Sequence, residues 1–200
     1  MVWRCRVIEE KKLWELYPHI WSSESAYMSW LRGGLRRYLW SKNPVKLEFI
    51  KQNRIKIPNP NPKGKVKEVW GGVCALTGNT YVIGDMEVDH ISGNHSLKTI
   101  DDLVPFVKGI VMVTLEDLQL VSKEAHKIKS YAEKQGISFE EAKVEKTAIE
   151  LIKKGVDKQF LIDHNVKAEN IGSTQVVRRK QIVEILLELN KLKAKDDECI

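Results

Sequence analysis

The chain has 200 residues, 33 Lys/Arg against 27 Asp/Glu, a formal net charge of +6 and 42% hydrophobic residues. That apolar content suits a cored soluble protein, and no run approaches the ~20 consecutive apolar residues a membrane helix needs. Cys5, Cys74 and Cys199 are too few and too scattered for a disulfide framework, which fits a reducing compartment.

The charge is segregated. Residues 1–70 carry 15 Lys/Arg and 6 Asp/Glu, residues 71–135 carry 6 and 9, and residues 136–200 carry 12 and 12. A basic region joined to an acidic segment suits a protein that grips a polyanion with one part and holds a cation with the other. Met1-Val2-Trp3-Arg4-Cys5-Arg6 lacks an apolar signal segment, so a cytoplasmic location is expected.

In chain order, residues 1–65 read as a basic, aromatic-rich arm and linker. They hold five of the six tryptophans, Trp3, Trp14, Trp21, Trp30 and Trp40. Ser22 or Ser23 can cap a helix beginning near Glu24, with Tyr27, Leu31, Leu35 and Tyr38 on one stripe. Gly33-Gly34 interrupts that stripe: either the helix breaks, or the missing side chains admit another backbone. Arg32, Arg36 and Arg37 beside the glycine pair are candidate phosphate contacts. Pro58-Asn59-Pro60-Asn61-Pro62-Lys63-Gly64 reads as an extended linker, because proline removes donors and fixes φ.

Residues 66–135 read as a core of mixed strands and helices. Gly78-Asn79 marks a turn between short strands. A strand over Glu87–Ile91 presents Asp89 and His90, and a short inserted helix near Asp101–Val104 ends ahead of Pro105. Leu118–Val121 forms the second strand. A helix then runs from Lys123 to about Lys134 and stops at Gly136. Ala125, Ile128 and Ala132 form its buried stripe, with His126 and Lys129 on another face. Residues 136–200 read as a helical C-terminal region. Ser138-Phe139-Glu140-Glu141 is a capping box, and a shorter helix spans Asp157 to about His164. Ser173 or Thr174 caps a last helix whose first turns carry Arg178-Arg179-Lys180. This region is either a helix-turn-helix-like DNA reader or a plain helical bundle.

Asp89-His90, then Asp117-Leu118-Gln119, then His126-Lys127-Ile128-Lys129 supply what phosphodiester hydrolysis requires. An imidazole near neutral pKa can take a proton from water, and a carboxylate with a second imidazole can hold a divalent cation. In this order the residues resemble the HNH endonucleases, whose motif reads Asp-His, then Asn-Leu-Gln, then Cys-His-x-x-Lys. The resemblance covers roughly Val73 to Glu133. With Gly93-Asn94-His95-Ser96-Leu97, the wider stretch looks like HNH proteins encoded by bacteriophages, including the homing kind.

The resemblance implies an α+β chain with a ββα-metal (His-Me finger) core acting as a metal-dependent endonuclease on double-stranded DNA. It casts His90 as general base and Asp89 and His126 as ligands of one divalent ion, Mg²⁺ or Mn²⁺. Lys127 or Lys129 would neutralise a neighbouring phosphate, and Arg178, Arg179 and Lys180 are further nucleic-acid candidates. Asp117 replaces the family's Asn. It either ties the loop between the motif halves, the favoured role, or adds a carboxylate near the metal. His95 could contact phosphate or cap the following helix, while His19 and His164 default to surface roles.

The departure from the family concerns zinc. The two Cys-x-x-Cys knuckles read Cys74-Ala75-Leu76-Thr77 and Ser122-Lys123-Glu124-Ala125, so no structural zinc is expected. Packing around Val73, Leu76, Leu120, Val121 and Ile128 must hold the core instead. The competing reading is a non-catalytic DNA-binding protein that keeps a decayed HNH shell.

Overall fold

The computed structural model describes residues 11–61, 63, 65–92 and 96–197. Trp3, Cys5, His95 and Cys199 lie outside the described residues. The chain is α+β and divides into two compact units, Met1–Ser122 and Lys123–Ile200. That division falls inside the 66–135 segment read as one core, at the junction of a strand with the helix that follows it.

The first unit begins with a single helical turn, α1 (Leu13–Leu16), and then α2 (Glu24–Leu35). Ser23 caps α2: its hydroxyl accepts the Ala26 N–H at 3.2 Å, relieving one of the helix's orphan donors. The helix neither breaks at Gly33-Gly34 nor admits a neighbour there, since a Cβ at either glycine would meet nothing within 4 Å. It runs on into a π-helical turn, Arg36–Trp40. A π turn inserts an extra residue, so Trp40 continues the stripe of Tyr27, Leu31 and Leu35, and Tyr38 is left 65% exposed.

These residues are not a detached arm. Met28, Leu97, Phe106 and Ile110 form one buried cluster, with Trp14, Tyr27, Leu31, Leu35, Trp40, Ile100 and Leu103 packed around it. Burying each large side chain contributes roughly 1.5–3 kcal/mol gross, so residues 14–40 and 97–110 stabilise one another.

Asn43 caps α3 (Pro44–Asn53), and Pro44 occupies the first turn, where its missing N–H has no cost. Strand β1 (Ile55–Pro58) then pairs antiparallel with β2 (Glu68–Val73), in register from Ile55↔Gly71 to Pro58↔Glu68. The Pro/Asn stretch is therefore a hairpin connection and not an interdomain linker. Its closure uses Asn59, whose N–H donates to Lys67 C=O and whose side-chain amide donates to Val66 C=O, both at 2.8 Å. Pro58 is tolerated because β1 is an edge strand in the order β1-β2-β3. Strand β3 (Thr80–Val82) follows a turn in which Gly78 takes φ +70° and Cys74 N–H donates to Asn79 C=O. At Gly72 a Cβ would fall 2.4 Å from Leu120 Cδ2 and 3.0 Å from Met86 Sδ. The glycine thus lets β2 lie close on the second sheet.

That second sheet is the antiparallel pair β4 (Met86–His90) and β5 (Leu118–Ser122). Between its strands, Thr99 and Asp102 form a capping box on a short 3₁₀ turn that leads into α4 (Leu103–Val111). Pro105 sits in the first turn of α4, where no backbone donor is needed, so the helix passes through it instead of ending before it. Val73, expected in the core, is 48% exposed, while Val121 and Cys74 are fully buried.

The second unit is helical: α5 (Lys123–Gln135), α6 (Phe139–Lys153), α7 (Asp157–Asp163) and α8 (Gln175–Asp197). The helix ends follow local signals. Gly136 and Gly155 adopt φ +68° and +71°, and Ser138 and Glu141 form a reciprocal capping box. Thr174 Oγ1 accepts the Val177 N–H at 3.3 Å at the start of α8. Ala148, Leu161 and Ile182 form the buried centre, ringed by Leu151, Ile152, Phe160, Ile185 and Leu186 among others. No helix among the described residues is long and apolar enough to cross a membrane.

Candidate active site

Asp89 and His90 end β4, where the ladder pairs Asp89 with Gln119 and His90 with Leu118. Alternation places them on opposite faces of the strand. His90 shares a face with Met86 and Val88, both buried, and is itself half-buried. Gln119 Nε2 donates to Asp89 Oδ2 at 3.1 Å, so the cross-strand partner orients the carboxylate in its acceptor form.

His90 is held by contacts that lie far away in sequence. Its Nε2 is 2.9 Å from Gly109 C=O near the end of α4. A carbonyl can only accept, so Nε2 carries the proton, and in the neutral ring the lone pair is on Nδ1. The imidazole stacks on Trp40, with centroids 4.6 Å apart and planes 25° from parallel. Lys46 Nζ lies 4.8 Å from the same indole. Burial lowers the Lys46 pKa, and Glu87 opposes that shift. Asn43, 5% exposed, links α3 to the carbonyl end of α4: its amide donates to Ile110 C=O at 2.8 Å, while its Oδ1 accepts from Val45 and Lys46 N–H. Trp40, Asn43, Lys46 and Gly109 were absent from the sequence-based candidates. The signal that could have drawn attention to them is a single Asn-Pro helix start, which says nothing of His90.

Asp117 makes local contacts. Its Oδ2 accepts from Thr114 N–H at 2.7 Å and from Thr114 Oγ1 at 2.8 Å, capping the 3₁₀ turn before β5. Its backbone carbonyl accepts the Ile91 N–H at 2.9 Å, extending the β4–β5 ladder past His90. Cys74 and Ser122 also meet: Ser122 N–H donates to Cys74 Sγ at 3.2 Å, tying the 74–79 turn to the end of β5.

His126, half-buried, sits on the first turn of α5, which starts immediately after β5 and opens the second unit. Lys127 is exposed, and Lys129, its side chain 13% exposed, pairs with Glu133 at 3.6 Å.

The arginines divide into three kinds. Arg32 donates to Leu97 C=O at 3.4 Å, and Arg36 lies over the Phe106 ring at 5.7 Å. Burial, then repulsion from Arg32, lowers the Arg36 pKa, yet a guanidinium stays charged. Arg37 is exposed. Arg178 is not available to DNA: it is 8% exposed, pairs with Asp157 and donates to Gly172 C=O and Ser173 C=O. Arg179 is occupied by Glu145 and by Tyr131 Oη at 2.6 Å. Helix packing thus consumes two of the three cations expected at this cluster, and Lys180 remains exposed. His164 is half-buried and stacked on Phe160, while His19 is exposed beside Tyr17.

Among the described residues, no three His, Cys, Asp or Glu side chains converge into a metal-ligating group. Mg²⁺ and Mn²⁺ accept one or two protein ligands with water and phosphate oxygens completing the shell, a donor set that Asp89 and an imidazole fit. Comparison with family models, curated proteins and solved structures found no match.

Proposed function

We propose that the chain is a metal-dependent DNA endonuclease of HNH type, with β4, β5 and α5 as its ββα-metal core. The observation that carries this reading is the pair of constraints at the end of β4. Gly109 C=O holds the Nε2 proton of His90, and Gln119 orients Asp89. The succession of antiparallel β4 and β5 with α5 joined directly to β5 also supports it.

In this mechanism His90, its Nε2–H donating to Gly109 C=O, receives the proton of the attacking water at Nδ1. Trp40 limits ring rotation, and Asn43 holds the end of α4 that carries the Gly109 carbonyl. Asp89 supplies a carboxylate ligand, and the resemblance assigns His126 as the second. A bound divalent cation would stabilise the charge on the phosphate and the departing 3′ oxygen. Asp117 positions the start of β5 and does no chemistry.

Plasmid nicking with Mg²⁺, with Mn²⁺ and with chelator tests the reading. Relaxation of supercoiled DNA that requires the ion is expected. Binding without cleavage under all three conditions would favour a non-catalytic DNA-binding protein with a decayed HNH shell.

A further inference from the structure

We infer that the β1–β2 hairpin, with Arg54, Lys56 and Trp70 at its centre, is the surface that grips the DNA backbone. The inference rests on the reading of the chain as acting on DNA, and it concerns a region outside the HNH-like residues.

From Glu48 to Glu68 the chain carries six Lys/Arg (Lys51, Arg54, Lys56, Lys63, Lys65 and Lys67) and no intervening acid. The hairpin folds this run onto itself. Lys56 and Trp70 are direct cross-strand partners, and the Arg54 guanidinium and Lys56 ammonium lie 4.2 and 4.3 Å from the Trp70 ring. Two like charges converge on one indole that is itself 38% exposed. Cation–π attraction offsets part of their repulsion, and an anion between them would remove more of it. Lys63, Lys65 and Lys67 extend the positive surface along the exposed connection.

The cluster also lies on the appropriate side of the sheet. Trp70 and Gly72 are two apart on β2 and so share a face. The Cβ direction of Gly72 points at Leu120 and Met86, which stand on the His90 face of β4–β5. Helix α3 joins the two regions: Lys46 lies by Trp40 at its start, and Arg54 follows its last residue, Asn53. Those eight residues span about 12 Å, a few base pairs along a duplex. The occupant that matches is a polyanion with closely spaced phosphates, which double-stranded DNA is.

The test is equilibrium binding of the full chain to a fluorescent DNA duplex in chelator, over a salt series, for four proteins. These are the parent, Arg54→Gln/Lys56→Gln, Lys63→Gln/Lys65→Gln/Lys67→Gln, and Lys153→Gln/Lys154→Gln as a control at the end of α6, matched in charge to the first variant. Each lost phosphate contact should flatten the plot of log K against log salt by about 0.9 and weaken binding about tenfold near 0.1 M salt. Both hairpin variants should do so, and the control should track the parent. Should Arg54→Gln/Lys56→Gln fail to fold, the loop variant carries the test alone. Unchanged slopes in the folded hairpin variants, an equal loss in the control, or a parent that binds phosphatidylserine vesicles but not DNA would each overturn the inference. Nicking, measured in parallel, separates the two proposals: hairpin-dependent binding without cleavage keeps this one and removes the endonuclease.

Discussion

Replacing Arg178 by alanine separates a structural guanidinium from a DNA contact. The Arg178 and Asp157 side chains are 10% and 8% exposed, and Arg178 also supplies donors to Gly172 C=O and Ser173 C=O. Truncation leaves the Asp157 carboxylate buried without its cation and two carbonyls without their donor. Breaking a buried pair from one side costs about 3–5 kcal/mol, a large part of the ~5–15 kcal/mol that holds a domain folded. The loss should depend on pH. In the folded parent, the hydrogen bond from Arg178 keeps the Asp157 carboxyl below its ordinary range, against the effect of burial. Its stabilisation is therefore present above the unfolded carboxyl pKa of about 3.9 and fades as pH falls through the lower folded value. Without Arg178, burial favours the neutral acid and is opposed only by the backbone N–H groups of Asp157 and Lys158, so the penalty should be largest near neutrality and shrink on acidification. Urea unfolding followed by far-UV circular dichroism measures it. Tryptophan emission reports the first unit separately, since all six tryptophans precede Ser122. Arg178→Met/Asp157→Leu should recover much of the loss, because an apolar pair leaves no unpaired charge. An Arg178→Ala protein with parental stability and reduced DNA affinity would refute the structural assignment.

Asp89→Ala and His126→Ala should each lower Mn²⁺ affinity in calorimetric titration, and unchanged binding in both would move the ion elsewhere. Asp117→Asn should keep Mn²⁺ affinity and most of the stability, because an amide oxygen can still accept from Thr114, whereas Asp117→Ala should lower the melting temperature slightly; lost Mn²⁺ binding in the Asn variant would make Asp117 a ligand. Deleting residues 1–65 removes Met28, Phe49 and β1 from the first unit, so the remainder should lose cooperative thermal unfolding; a sharp transition in that fragment would show that the core does not need them.

Local signals were legible in the sequence wherever a helix end depends on one or two adjacent residues. Ser23, the Ser138–Glu141 box, Gly136 and Thr174 act within a single turn, and the structure uses each as a cap or stop. Strands β4 and β5 were legible for a similar reason, as short runs with apolar residues at alternate positions. What escaped was set by tertiary partners. Pro58 reads as linker until β2 arrives beside it, and Arg178 reads as a phosphate contact until Asp157 on another helix claims it. The π turn at Arg36–Trp40 changes which aromatic faces the core, and no pattern of period 3.6 can report that. The candidate site followed the same division. Asp89 and His90 are visible from their order along the chain, but Gly109, 19 residues away, and Trp40, which hold the ring, become apparent only in three dimensions.

The most direct measurement is single-turnover plasmid nicking with Mg²⁺ by the parent and by His90→Ala, with DNA and Mn²⁺ binding recorded on the same preparations. His90 enters only the chemical step, so the rate should fall by about 10²–10⁴ while both affinities stay at parental values. A His90→Ala protein that folds, binds and cuts as fast as the parent would contradict the assignment of His90 as general base.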